Sequence, residues 1–369
     1  MALRFDLVHC CGAARAAYLA TPHGVVATPA FMPVGTYGAV KGMPPCLLEQ
    51  TGTQIVLANT FHLALRPGAA LIARLGGLHR FMAWPGPILT DSGGYQVFSL
   101  ASLRQVSDHG VSFRSPVDGA LLELTPEAAI AIQEQLGADL IMCLDECPAY
   151  GVPAHAIEQA VARTIQWARR SLASHTRADQ ALFGIVQGGL DRVLRRQCVT
   201  ELVALGFPGY ALGGFSVGEP LDQAWPLIEE VCRLLPPDRP RYLMGMGRPE
   251  DVLEAIHRGV DLFDCVLPTR NGRNAQAFTE AGVLRLRNAC HKEDPRPLDD
   301  ACSCYTCRHF SRAYVHHLFL TREMLGPILV SLHNIAFYQR LLAQARQAIL
   351  ADTWDAYRAV HLARFRSHT

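Results

Sequence analysis

Between residues 30 and 270 the chain alternates short, almost wholly apolar runs with longer stretches whose apolar residues recur every three to four positions. The short runs predict strands near 30–34, 54–58, 88–90, 140–144, 182–186, 210–212, 242–244 and 262–265. The longer stretches predict helices, clearest over 126–136, 154–174, 191–205, 222–235 and 249–258. Repeated strand–helix units imply a parallel sheet, and eight strands close it. The expected fold class is therefore α/β, a (β/α)8 TIM barrel. Pro126 and Pro249 suit a first helical turn, where the missing N–H has no intrahelical partner to lose, and Thr125 is placed to cap the first of these helices.

Two stretches interrupt the alternation. Residues 99–125 include VSFRSPVDGALLELT, two alternating runs about Asp118-Gly119, which predict an inserted β-hairpin. Residues 285–369 hold a cysteine cluster and a long helical tail, with a helix expected over about 322–350. The expected division is a barrel over 1–284 and a C-terminal zinc-binding subdomain with helices packed on the barrel over 285–369. No fixed-period repeat and no low-complexity linker separates the two.

Composition adds limits. Half of the 369 residues are hydrophobic and 18% are charged, so a large core is available and a disordered or fibrous chain is excluded. The net charge is +1, so any nucleic-acid site must be a local basic patch. The first 24 residues lack the apolar core of a signal peptide, and no run reaches the length of a membrane span. Most of the 12 cysteines stand singly in apolar surroundings, as expected of free thiols in a reducing cytoplasm.

The polar residues that close the apolar runs carry the chemistry. Asn59, Asp91, Asp145, Gln187, Gly213-Gly214, Gly245 and Asp264 each end a predicted strand. A barrel gathers its C-terminal strand ends on one face, where active sites of this architecture lie. Asp145 and Asp264 are flanked by apolar residues (MCLDEC, LFDCVL), and a buried carboxylate needs a partner or a chemical task. Carboxylates around one pocket permit glycosidic-bond chemistry, one attacking the anomeric carbon and another handling the leaving group's proton. Glycines beside polar groups, as in Asp91-Ser92-Gly93-Gly94 and Gln187-Gly188-Gly189, leave main chain free to read a flat heterocycle. After Asp264, Arg270 and Arg273 are expected on a loop at the mouth, with Lys41 following the first strand, where they could grip RNA phosphates.

Cys302, Cys304 and Cys307 form a Cys-x-Cys-x2-Cys cluster suited to zinc. His309, His316, His317 and His333 are the candidate fourth ligands, with Cys290 more remote. Three thiolates and one imidazole leave no open position, so the ion is expected to be structural.

The stretches TPAFMPVGT, DSGGYQVFSL, GADLIMCLDEC, VQGG, ALGGFSVGE, YLMGMG, DLFDCVLPTRNGRNAQAF, CSCYTC and HNIAFY, in this order, resemble the bacterial tRNA-guanine transglycosylases (queuine tRNA-ribosyltransferases) over nearly the whole chain. The resemblance implies that Asp264 is the nucleophile at C1′ of guanosine 34 and Asp91 the general acid/base. It places Asp91, Ser92, Gly93, Gly94, Tyr95, Gln96, Asp145, Gln187, Gly214, Phe215, Glu219 and Met244 around the base, with Tyr95 stacking on it. It assigns the anticodon to Lys41, to Gly245, Met246, Gly247, Arg248, Pro249, Glu250 and Asp251, and to Thr269, Arg270, Asn271, Gly272 and Arg273. It selects His333 to join Cys302, Cys304 and Cys307 around one structural zinc per subunit, and it implies a cytoplasmic homodimer. Cys147 and Val217 resemble members whose incoming base is preQ1 (7-aminomethyl-7-deazaguanine), whereas Phe215-Ser216 stands where Leu-Ala is commoner. The implied partners are tRNAs with GUN anticodons (aspartate, asparagine, histidine and tyrosine acceptors) and a 7-deazaguanine base, without a membrane, redox cofactor, ATP or catalytic metal. Queuine as the incoming base, or a non-catalytic tRNA-binding subunit, are the alternatives.

Overall fold

A computed structural model describes residues 3–96 and 104–366. Strands Ala30–Gly35, Val56–Ala58, Ile88–Thr90, Leu140–Met142, Ala181–Val186, Gly209–Leu212, Arg241–Leu243 and Leu262–Cys265 pair in parallel in chain order. The last returns to the first, with Asp264 opposite Met32, and closes the barrel. All eight expected strands are present within two residues of their expected bounds. Side chains on both faces of these strands, among them Phe31, Ile141, Phe183, Ile185 and Phe263, are buried without solvent exposure.

The helices follow the expected pattern closely, at Pro126–Leu136, Ala154–Ser174, Arg192–Leu205, Leu221–Leu234 and Pro249–His257. In Pro126–Leu136, the buried Ala129, Ile130, Gln133 and Leu136 lie on one face at helical spacing. Thr125 caps this helix by accepting from the Ala128 N–H at 3.2 Å. Gly137 ends it with φ +76°, a conformation that glycine adopts without a Cβ penalty.

An element the periodicity did not reveal precedes the barrel. Strands Arg4–Cys11, Ala14–Thr21 and Gly24–Thr28 form an antiparallel sheet. It docks on the N-terminal ends of the barrel strands. Arg15 makes a two-pronged ion pair with Asp261, which precedes the eighth strand, at 3.0 and 2.6 Å. His23 contacts Asp139, which precedes the fourth.

The hairpin about Asp118-Gly119 is present as Val111–Arg114 paired with Leu121–Leu124, with Arg104–Val106 as a third strand. The expected start of this insertion, 99–103, lies outside the described residues. Val111, Phe113 and Leu124 pack with Phe61, Leu144 and Trp167 in a satellite core beside the mouth.

The long C-terminal helix spans Leu325–Leu350, starting later than the expected 322. Pro327 is tolerated only in a first turn, and Arg322 has φ +60°, so the helix cannot extend back that far. It is not peripheral: Leu332, Ile335, Tyr338, Leu341, Leu342 and Ile349 belong to the main barrel core. The Tyr338 ring lies 4.6 Å from Phe31 of the first barrel strand, and Gln339 Nε2 donates to the Phe31 carbonyl. A smaller core of Ala275, Ala277, Leu286, Leu298, Val315 and Leu318 supports the cysteine-rich segment. Among the described residues no helix is long and apolar enough to cross a membrane.

Candidate active site

The strand-end residues anticipated from the sequence meet at one mouth. Asp264 lies close enough to Asp91, and Asp91 to Asp145, for the charge of the first to raise the pKa of the second. Asp91 is buried, and its carboxylate is cradled on both oxygens. Oδ1 accepts the Thr60 N–H at 2.8 Å, while Oδ2 accepts Gln96 Nε2 at 2.8 Å and the Asn59 amide. Burial lifts its pKa to about 6, against the pull of these donors, and Asp264 adds repulsion. A carboxyl that exchanges its proton this close to neutrality suits general acid/base work.

Asp264 is partly buried and raised above the usual carboxylate range by desolvation, opposed by the Tyr242 hydroxyl and the Gly245 N–H. Both donors, each at 2.7 Å, take Oδ1. Among the described residues nothing donates to Oδ2. One oxygen is thus fixed and the other retains its lone pairs, as an attacking carboxylate requires.

Asp145 and Gln187 form the next layer. Gln187 Nε2 donates to Asp145 Oδ2 at 2.7 Å, whereas the buried Gln187 Oε1 has no partner among the described residues. Such an orphaned acceptor is costly unless a ligand donor meets it. Gly214 explains how the loop can lie so close: a Cβ there would fall 2.4 Å from Gln187 Oε1, and its φ is +67°. Ser92 Oγ accepts the Gly94 N–H, and a Cβ on Gly94 would press on Asp145 O at 3.1 Å. Glu219 closes the following turn by accepting the Ser216 and Val217 N–H groups. Phe215 is buried under the Arg195 guanidinium, 3.9 Å from its ring centre. Met244 is half-buried, and Tyr95 is half exposed at the rim.

Burial lifts Asp145 to a pKa of about 6, Gln187 opposing and Asp91 reinforcing the shift. The sign of the linkage follows. The folded state binds the proton more tightly than the unfolded chain, so this group's contribution falls as pH rises from about 4 through 6, and the ionised form costs stability at neutral pH. Asp145→Asn is expected to raise the unfolding midpoint at pH 8 by several degrees, on the order of 2–3 kcal/mol. The gain should fade towards pH 4, while guanine exchange is lost. Thermal unfolding at the two pH values checks it; an unchanged midpoint at pH 8 contradicts the buried charge.

The segments expected to meet RNA divide by exposure. Lys41, Gly245, Arg248 and Arg270 are exposed, and Glu250, Asp251, Asn271 and Arg273 are half-buried. Met246, Gly247, Pro249, Thr269 and Gly272 are buried, so their side of the segment packs inward. Burial, with help from Glu250, raises Asp251 to about 7. Arg270 and Arg273 were expected on a loop. They lie instead on a helix, Leu267–Arg273, stacked directly after the Asp264 strand. Arg273 Nη1 is buried without a partner among the described residues, a donor left over for an anion.

Two supporting residues escaped sequence reasoning. Tyr242, which orients Asp264, read only as part of an apolar strand. Arg195 is fully buried and donates to the carbonyls of Val186, Gly189, Gly213 and Gly214, tying two active-site turns together. A signal existed: with Cys198, Val199 and Leu202 it occupies the inward face of helix Arg192–Leu205, where an arginine needs a reason.

Far from the carboxylates, Cys302, Cys304, Cys307 and His333 place their ligand atoms within 4.8 Å of one another. His333 Nδ1 lies 3.7 Å from Cys304 Sγ and 3.2 Å from Cys307 Sγ. Its Nε2 donates to the Phe278 carbonyl at 2.7 Å, which turns the Nδ1 lone pair toward the thiols. Burial pulls the His333 pKa down, but the bonds to Cys302 and Cys304 outweigh it and lift it to about 10. The set fits a metal ion. His316 is committed elsewhere, to the Leu286 carbonyl, and Cys290 is exposed.

Residues 10–367 match the family model described as "TGT: Queuine tRNA-ribosyltransferase". The chain is 55% identical over 346 residues to a Thermus thermophilus protein named queuine tRNA-ribosyltransferase, covering 94% of this chain and 90% of the relative. Proteins of the same name from Marinobacter nauticus and Aromatoleum aromaticum are 52% and 51% identical, covering 93% and 99% of this chain and 92% and 98% of their own.

Proposed function

The chain belongs to the queuine tRNA-ribosyltransferase family, and from that premise we propose that it exchanges guanine 34 of GUN-anticodon tRNAs for preQ1 through a covalent Asp264–ribose intermediate. It is a tRNA-guanine transglycosylase, a pentosyltransferase acting on tRNA and a deazaguanine base in queuosine synthesis. The observation that carries the finer reading is the half-free Asp264 carboxylate beside an Asp91 whose pKa lies near 6.

Asp264 Oδ2 attacks C1′ as the bond from C1′ to N9 breaks, and guanine leaves with that electron pair and a proton from Asp91. The incoming base then returns its N9 proton to Asp91 and attacks C1′, releasing Asp264. Two displacements retain configuration, and water must be kept out while the extruded nucleotide is held. The Asp145–Gln187 pair offers acceptors to the N–H edge of guanine. Cys147 and Val217, which resemble members whose incoming base is preQ1, support preQ1 over queuine. Helix Leu267–Arg273, with Lys41 and Arg248, supplies cations for the anticodon backbone.

Cys302, Cys304, Cys307 and His333 would hold one zinc ion, whose contribution is to cross-link the C-terminal segment. The working unit is a homodimer in the cytoplasm. The function is tested by incorporation of labelled guanine into a GUN-anticodon tRNA, competed separately by preQ1 and by queuine. Competition by preQ1 at concentrations where queuine fails supports the proposal; the reverse order identifies queuine as the incoming base, and no incorporation overturns the activity.

A further inference from the structure

A second group of metal-ligand side chains lies at the opposite end of the barrel. His23, in the turn between the last two strands of the N-terminal sheet, and His79 both reach the buried Asp139. His23 Nδ1 is 2.7 Å from Asp139 Oδ1, and His79 Nε2 is 3.0 Å from Oδ2. The imidazoles stack face to face, their centres 3.5 Å apart and their planes within 15°. The Ile88 and His23 N–H groups also donate to the carboxylate, at 2.9 and 3.2 Å, which fixes it in place.

We propose that His23, His79 and Asp139 bind a second ion, a divalent transition metal of the zinc class. Two imidazole nitrogens and a carboxylate oxygen, all within 4.8 Å of one another, are the donor set such ions take. A dication uses both rings neutral, His23 shifting its proton to Nε2 and His79 to Nδ1, so no net proton is released. Stacked in parallel, the two rings do not aim their in-plane lone pairs at one point, so for both nitrogens to reach one ion His23, whose side chain is 41% exposed, swings out of the stack. That exposure leaves remaining coordination positions to water. The ion is therefore held more weakly than one in the closed Cys3His cluster, and it exchanges with solvent.

The test is metal content of the whole chain after equilibration with micromolar zinc, for the unaltered protein, His79→Ala and His23→Ala. Two ions per chain are expected for the first and one for each variant, with guanine exchange unchanged as evidence of an intact fold. Cobalt supplies an independent readout. The cysteine site gives thiolate-to-metal charge transfer, whereas the second ion gives only weaker bands, which vanish in His79→Ala. One ion in the unaltered protein, or a second ion that persists in both variants, overturns the proposal and leaves the cluster as a hydrogen-bonded clamp between sheet and barrel.

Discussion

Asp264→Asn is expected to lower guanine exchange by at least about 10⁴-fold and to leave tRNA binding nearly unchanged. The amide keeps the shape of the side chain and its oxygen can still accept from Tyr242 and Gly245 at the place of Oδ1. What disappears is the free, ionised oxygen. An amide nitrogen has no lone pair to offer C1′, and no substitute carboxylate stands in its position: Asp91 has both oxygens engaged by Asn59, Thr60 and Gln96. Loss by misfolding is not expected, because burial already raises the Asp264 pKa and its ionised form costs stability at neutral pH. Unaltered enzyme mixed with tRNA should give a complex that survives denaturing electrophoresis, and the asparagine variant should give none. Labelled guanine still entering tRNA in that variant would remove Asp264 from the nucleophile's place.

Much of this site was legible because a parallel barrel converts a one-dimensional pattern into a convergent one. Each apolar run that ends in a polar residue contributes that residue to the mouth, and closure does the rest. Position alone left Asp91, Asp145 and Asp264 equivalent. Their partners distinguish them: three donors on Asp91, an amide on Asp145, and both donors on one oxygen of Asp264. Apart from Gln96, five residues beyond Asp91, these partners come from distant parts of the chain, which periodicity cannot pair.

The failures have physical causes too. Ala14, Arg15, Ala16 and Ala17 are all buried, since that part of the second N-terminal strand is covered on both faces and shows no polar alternation. The stretch after Asp264 reads as a loop because Asn271-Gly272 is a turn signal. In the structure Gly272 serves close packing: a Cβ there would lie 2.6 Å from Ser331 Oγ and 2.7 Å from its backbone N. The dipeptide is a helix–helix contact. His23 and Asp139 are 116 positions apart, and no spacing rule joins them.

That same helix–helix contact makes the cysteine cluster matter to a reaction it does not touch. Cys307→Ser is expected to abolish stoichiometric zinc binding and to lower the unfolding midpoint by about 10 °C, several kcal/mol of the folding energy that a structural ion supplies. His333 is anchored on one side by the cluster and on the other by the Phe278 carbonyl. Its neighbour Asn334 accepts the Phe278 N–H and donates to the carbonyls of Pro268 and Gln276, each at 2.9 Å. Pro268 lies in the first turn of the helix that carries Arg270 and Arg273. Release of His333 therefore loosens the base of the cationic helix, while the Asp145–Gln187 pair, on the far strands, keeps its geometry. The expected kinetic signature is a tRNA KM that rises well above that of the unaltered enzyme, with the guanine KM little changed. Cys290→Ser, at an exposed cysteine outside the cluster, should alter neither zinc content nor midpoint. If Cys307→Ser retains its zinc and midpoint, the ion is not held by these four residues. If it loses zinc and the tRNA KM stays the same, the Asn334 bridge does not couple the cluster to the RNA-binding helix.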